Sequence, residues 1–327
     1  ETFDARKDVN VEAKLQTLLK EGANTFMDFE WLQPEFPSFF DEKKFYLGQR
    51  MFYNNTFTMM IAKLCGLLSL FAVPSIKDVL KFTRQSGAPC VAFRRYASTI
   101  LHNFTWYGKK AGVEFLDSLK IVRKKHCVAF RRSSEAGLGR VSQLDMALAQ
   151  FGFMGFTLVA GDELGVNNSS EELEGLIHFW RVVGSMLGME DKFVPWSHNF
   201  SLPSTSIPLD YESKILYEKK TDYLQTTKYK HLFLYCNYII FFNFFLTEST
   251  FSDTSNLSLY GRCLLNLQLF IHKYLLPPTY WWSWFFRAFF NGNMRLAVYL
   301  TEHLPFLAFW SFGVKNSYVD IYKYRVI

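Results

Sequence analysis

Two short stretches of this 327-residue chain mark where helices begin. "SQLD" at Ser142 and "SSEE" from Ser169 are capping boxes. In each, the serine hydroxyl can accept from the backbone N–H three positions on, and the carboxylate there (Asp145 or Glu172) can reach back to the serine N–H. Each box leads an apolar stripe. The first runs through Leu144, Leu148, Phe151, Gly155 and Leu158 and stops at Gly161. The second runs through Leu173, Ile177, Trp180, Gly184 and Leu187 and stops at Gly188. Between them, "GDELGVNN" has the residues of a turn. The pair predicts an antiparallel αα-hairpin.

The second helix enters "LIHFWRVVGSMLGMEDKF" (Leu176–Phe193) and is apolar on almost every side, as buried helices are. Yet Glu174, His178, Arg181 and Ser185 follow at steps of four, three and four, which makes one narrow polar stripe. A buried arginine needs a partner or a polar ligand, because desolvating it alone is costly. The plainer reading is a solvated edge on which Glu174 orients or pairs with His178. Gly184 and Gly188 each cost about 1 kcal/mol against alanine inside a helix, so they suggest close approach of a flat group or another backbone. A neutral imidazole among small and aromatic residues, with an arginine near enough for a propionate, also suits a haem axial ligand.

Helical period dominates elsewhere, as from Lys77 to Trp106, and no hairpin dipeptide separates alternating runs. The expected fold class is all-α, a multi-helix globular domain over residues 1–327. Aromatics at 18% suit a lipophile-binding or membrane-facing protein, while a dispersed net charge of +6 is too mild for a nucleic-acid partner. The basic cluster "RKKHCVAFRR" (Arg123–Arg132) reads as a solvated face or a contact with anionic lipid headgroups. "CVAFRR" occurs there and at Cys90–Arg95, and two copies do not make a repeat architecture. Five cysteines without CxxC spacing argue against a disulfide framework or a zinc site. His102, His126 and His198 show no ligand spacing and are expected to be structural or exposed.

Other segments bear on membranes. "YWWSWFFRAFF" from Tyr280 suits an interfacial aromatic belt or a dense core. The uncharged run Leu232–Thr247 is short of the roughly 20 residues of a bilayer span, so a buried or interfacial helix is expected there. "MMIAKLCGLLSLFAVP" from Met59 is broken by Lys63 and reads as core. No G-x-S-x-G elbow or His-Glu-x-x-His supports a hydrolase, and "GLGRVS" at Gly137 has no strand before it.

The stretch Leu176–Phe193, with "QLDMALAQFGFMGF" and "DELGVNNSSEEL" ahead of it, resembles the MpaB-type and rubber-oxygenase (latex-clearing protein) family. "FFDEKKFYLGQRMFYNN", "GLLSLFAVPSIKDVL", "RRYASTILHNFTWY" and "LPFLAFWSFGVKNSYVDIY" are similar to its animal branch. The resemblance implies globin-like helix packing, a haem b cofactor with its iron, and O2-dependent cleavage of carbon–carbon double bonds in a lipophilic, isoprenoid-like substrate. By position His178 resembles the axial iron ligand, Arg181 the arginine beside the haem, and Arg140 the distal arginine that steers oxygen. Gln143 and Leu144 stand where rubber-cleaving members carry lysine and threonine, so Gln143 is expected to offer a neutral hydrogen bond instead. Phe151, Phe153, Met154 and Phe156 line an apolar channel or simply fill the core. A membrane-associated, endoplasmic-reticulum setting is implied, with a segment expected ahead of Glu1. From Val194 to Asn256 the chain departs from the family, as an atypical insertion or an artefact of gene assembly. The rival expectation is a non-enzymatic, membrane-associated helical protein that keeps the scaffold without haem.

Overall fold

Both capping boxes form. Ser142 Oγ accepts from the Asp145 N–H at 3.1 Å, and Asp145 Oδ2 accepts from the Ser142 N–H at 2.9 Å. Ser169 and Glu172 repeat the exchange at 3.2 and 3.1 Å. Each hydroxyl satisfies a backbone donor that the first helical turn leaves open, worth about 1 kcal/mol. Asp145 is thereby explained as a cap, and its Oδ1 also accepts from Ser75 Oγ at 2.7 Å.

The computed structural model describes residues 13–28, 35–71, 73–83, 89–194, 267–268 and 270–322. Its helices of seven residues or more are α1 (Glu42–Asn54), α2 (Thr56–Phe71), α3 (Pro74–Phe82), α4 (Pro89–Gly108), α5 (Val113–Glu135), α6 (Gln143–Val159), α7 (Ser170–Met186), α8 (Ser283–His303) and α9 (Phe306–Phe312). Among the described residues there is no strand, only an isolated bridge between Phe26 and Ser142, so the fold is all-α. Of the atypical segment, residues 195–256 lie outside the described residues, as do His198 and the uncharged run Leu232–Thr247.

Helices α6 and α7 run antiparallel as expected, since Gln143 meets Gly188 while Gln150 meets Trp180. Their main partners are different helices. Helix α7 packs on α1, and α6 packs on α2. Both contacts are glycine to glycine: a Cβ on Gly48 would collide with the Gly175 backbone, and one on Gly66 with that of Gly152. Helix axes sit closer where no side chain intervenes. None of these four glycines lies on a stripe read from the sequence.

The core centres on rings contributed by three helices. Tyr107 of α4 stacks on Phe52 of α1 at 3.9 Å between centroids and on Phe179 of α7 at 4.4 Å. Trp180 Nε1 donates to Tyr107 Oη at 2.7 Å, which satisfies both polar tips inside an apolar environment. Around this stack α4 and α5 form a hairpin in which His102 faces Ser118 and the Arg95 charge acts on His126. The hairpin sets the two "CVAFRR" copies opposite each other.

The first half of helix α8 is inverted, while its second half buries Met294 and Val298. In the first half the inner face carries the buried Ser283, Arg287 and Asn291, and the outer face of the helix carries the exposed Trp284, Phe285, Phe289 and Leu296. The inner polar groups close gaps in the backbone. Asn291 donates to the Asn54 carbonyl at 2.7 Å and accepts from the Phe57 N–H at 2.9 Å, bridging the break between α1 and α2. No helix among the described residues is long and apolar enough to cross a membrane.

Candidate functional site

Three residues of the polar stripe of α7, Glu174, His178 and Arg181, have hydrogen-bond partners for their side chains. His178 is buried, with Phe39 and Phe40 ring centroids 6.3 and 6.4 Å from its own. Its Nε2 accepts from the backbone N–H of Asp41, the residue that caps α1, at 3.0 Å. Burial, first of all, holds the imidazole below its ordinary pKa, and the nearby Arg181 adds to this, so the ring is neutral with its proton on Nδ1. Glu174 does not pair with it; that carboxylate reaches Lys44 at 3.4 Å on the half-exposed surface.

Arg181 lies along Phe39 with its guanidinium carbon 3.8 Å from the ring centroid, and it forks onto Asp191, Nε to Oδ1 and Nη2 to Oδ2, both at 2.7 Å. This bidentate pair ties α7 to the 3-10 turn at Asp191–Phe193. Gln143 is buried beside the same turn, where Nε2 donates to the Gly188 carbonyl at 3.3 Å and Oε1 accepts from the Glu190 N–H at 3.2 Å. Arg140 is exposed and lies over Phe26 at 4.8 Å. Three of the four sequence-predicted residues therefore bear on one loop or cap each, and the fourth is on the surface.

The donor set can be tested against a haem. Nε2 of His178 is committed to Asp41, the fork of Arg181 to Asp191, and both amide ends of Gln143 to backbone. Gly184 makes room for the Gln150 side chain rather than for a flat ligand, and Gly188, at φ +101°, ends the helix in a conformation that favours glycine. As arranged, these residues do not form a haem cradle around His178. Iron ligation through Nε2 requires the Asp41 hydrogen bond to be given up.

The space for a ligand lies on another face of α7. A cavity of about 1710 Å³ opens between α2, α3, α4, α5, α6, α7, α8 and α9, and neither His178, Arg181, Gln143 nor Arg140 is on its wall. Trp180, Val183 and Gly184 are. Of the four aromatic and methionine residues expected to line a channel, only Phe153 does so; Met154 is core, and Phe151 and Phe156 pack edge to face on each other. The wall is mainly apolar, with Lys63, His102, Asn103, His126 and Gln150 set into it and the charged Arg94, Arg95, Lys125, Arg132, Asp145, Lys315 and Asp320 at other points. Exposed Leu304, Phe306 and Trp310 border it where α8 passes into α9.

Sequence reasoning treated His102 as structural and passed over Lys63 as an interruption in a core run. The signal for Lys63 was that interruption itself, a single cation within "MMIAKLCGLLSLF". Set against protein-family models, curated proteins and solved structures, the chain matches none.

Proposed function

We propose that this protein binds a lipophilic small molecule, of the unsaturated, isoprenoid-like class that the resemblance implies, in the cavity between α2 and α8. The cavity carries the reading: it is large, mainly apolar, and furnished with a few convergent polar groups, as ligand sites are. Its border at the exposed Leu304, Phe306 and Trp310 is a surface suited to the headgroup level of a bilayer, from which an insoluble ligand would enter. In this reading His178 and Arg181 hold the frame, as in a relative that keeps the scaffold without haem. Retinol, a fluorescent polyene, tests it. Energy transfer from the wall residues Trp106 and Trp180 should appear on titration, and the affinity read from it should fall in Ala149→Trp, which narrows the cavity. Retinol that binds neither form sinks the reading.

A second reading is a haem-dependent, O2-using oxygenase with His178 on the iron, whose reaction would lie on the His178 face of α7 and not in this cavity. What favours it is that His178 is held neutral, the form that ligates a metal, in an aromatic surrounding. Haem would supply the oxygen chemistry, and the chain would supply orientation and exclusion of water. A Soret band in protein expressed with haem, lost in His178→Ala, supports it; a parent without the band overturns it.

A further inference from the structure

Lys63 of α2 is a part-buried cation on the cavity wall, its Nζ donating to Asn103 Oδ1 at 2.9 Å. The ammonium also sits 4.7 Å from the ring centroids of both Phe52 and Tyr107. Among the described residues no carboxylate pairs with it. Asn103 is in turn fixed by donating its Nδ2 to the Thr99 carbonyl at 3.1 Å, so the amide oxygen holds the amine in place. Buried cations are normally paired or meet a ligand, because an isolated one is costly to desolvate.

The same wall carries a further polar group, on His102, that has no partner among the described residues. Trp106 Nε1 donates to Ser118 Oγ at 2.9 Å, and Ser118 Oγ lies 2.8 Å from His102 Nδ1. Ser118 Oγ thus bridges the indole and the imidazole, and among the described residues His102 Nε2 is buried and without a partner. Around these polar groups the wall is Met60, Leu64, Phe153 and Val298, which suits a hydrocarbon tail.

We infer that the cavity is built for a long-chain carboxylic acid, its head group ion-paired to Lys63 and its chain laid along the apolar wall. This rests on the lipophile-binding reading and names the chemical class of its ligand. The carboxylate supplies the counter-ion that the fold omits. Burial alone draws the lysine down to about 7, and an anion beside it restores the charged form. An alcohol or hydrocarbon of the same length gains the apolar contact without the ion pair.

Calorimetric titration of the full chain with matched pairs, oleic acid against oleyl alcohol and farnesoic acid against farnesol, separates the possibilities. The parent should bind the acid of a pair at least tenfold more tightly than the alcohol, and Lys63→Met should erase that preference while keeping alcohol affinity. The better acid identifies the source, straight acyl chain or branched isoprenoid. Equal affinity for acid and alcohol in the parent overturns the inference and leaves the lipophile-binding reading standing. Binding of neither defeats both. Because the parent's ratio decides, a Lys63→Met protein that fails to fold does not blunt the test.

Discussion

The backbone N–H of Asp41 donates to His178 Nε2 across 3.0 Å, so the histidine of α7 receives a donor at the head of α1. Asp41 already caps that helix by accepting from the Lys44 N–H at 3.0 Å. One short segment thus fixes both where α1 starts and how α7 lies on it. His178→Ala leaves the Asp41 N–H without an acceptor and removes a ring that touches Phe39 and Phe40. A loss of roughly 1–3 kcal/mol is expected, measured by urea unfolding. An unchanged midpoint would mean that the bond contributes nothing and would favour a ligand-binding role for the ring.

Arg181 and Asp191 should be harder to replace. Lys14 is near enough for Asp191 to raise its pKa and for Arg181 to lower it, though burial is the larger influence and depresses it. Asp191→Asn therefore leaves two cations facing each other, and Arg181→Lys keeps the charge but cannot fork onto both carboxylate oxygens. We expect Asp191→Asn to cost roughly 2–3 kcal/mol and Arg181→Lys clearly less. The two midpoints, read in the same denaturant series, check the order.

How much of this was legible in the sequence differs by element. Both capping boxes, the helices they start and their antiparallel course followed from local hydrogen-bond chemistry and period, which need no knowledge of distant residues. The all-α class followed likewise. The partner of His178 did not: Asp41 lies 137 positions away and acts through its backbone, which leaves no mark in residue type. Glu174, one helical turn from the histidine, was the natural candidate and turned outward to Lys44. The cavity was invisible for a similar reason, since its wall draws on eight helices, and the one local hint was a lysine in an apolar run.

Glycine contacts make the packing testable. Gly48→Ala would drive a methyl group into the Gly175 backbone, and Gly66→Ala into that of Gly152. Backbone cannot step aside as a flexible side chain can, so each helix pair must separate. The expected cost is at least about 1–3 kcal/mol, the usual range for overpacking. Gly292→Ala is the control, because nothing lies within 4 Å of a Cβ there and the change should stabilise α8 slightly. Thermal melts of the three variants would show two losses and one small gain.

Acid should unfold this protein early. Burial chiefly depresses the imidazoles of His102 to about 3 and of His126 and His272 to about 4, against an ordinary 6.5. Between pH 6.5 and 4 the unfolded chain takes up protons that the folded chain refuses, so stability is full above 6.5 and falls as pH drops through that window. His272 is the cleanest probe, since its Nδ1–H donates to the Leu164 carbonyl at 2.8 Å far from the cavity. His272→Gln should flatten the fall by about 1 kcal/mol per pH unit. A slope identical to the parent's would show that His272 protonates normally in the fold.

The inverted first half of helix α8 gives the last test. Trp281, just ahead of α8, is 81% exposed, Trp284 on it 70%, and Trp310 on α9 92%. Water does not stabilise such a face, and in the first half of α8 the buried side is polar, the reverse of an ordinary surface helix. A bilayer headgroup region accommodates indole rings and apolar tails together. Trp281→Ser, Trp284→Ser and Phe289→Ser combined should abolish sedimentation with neutral phosphatidylcholine vesicles. Each change should alter stability by no more than about 0.5 kcal/mol, because these side chains support little of the core. Binding should persist in high salt, since ring burial rather than charge drives it. Parent protein that stays in the supernatant would remove the membrane from the ligand's route and leave the cavity to be filled from solution.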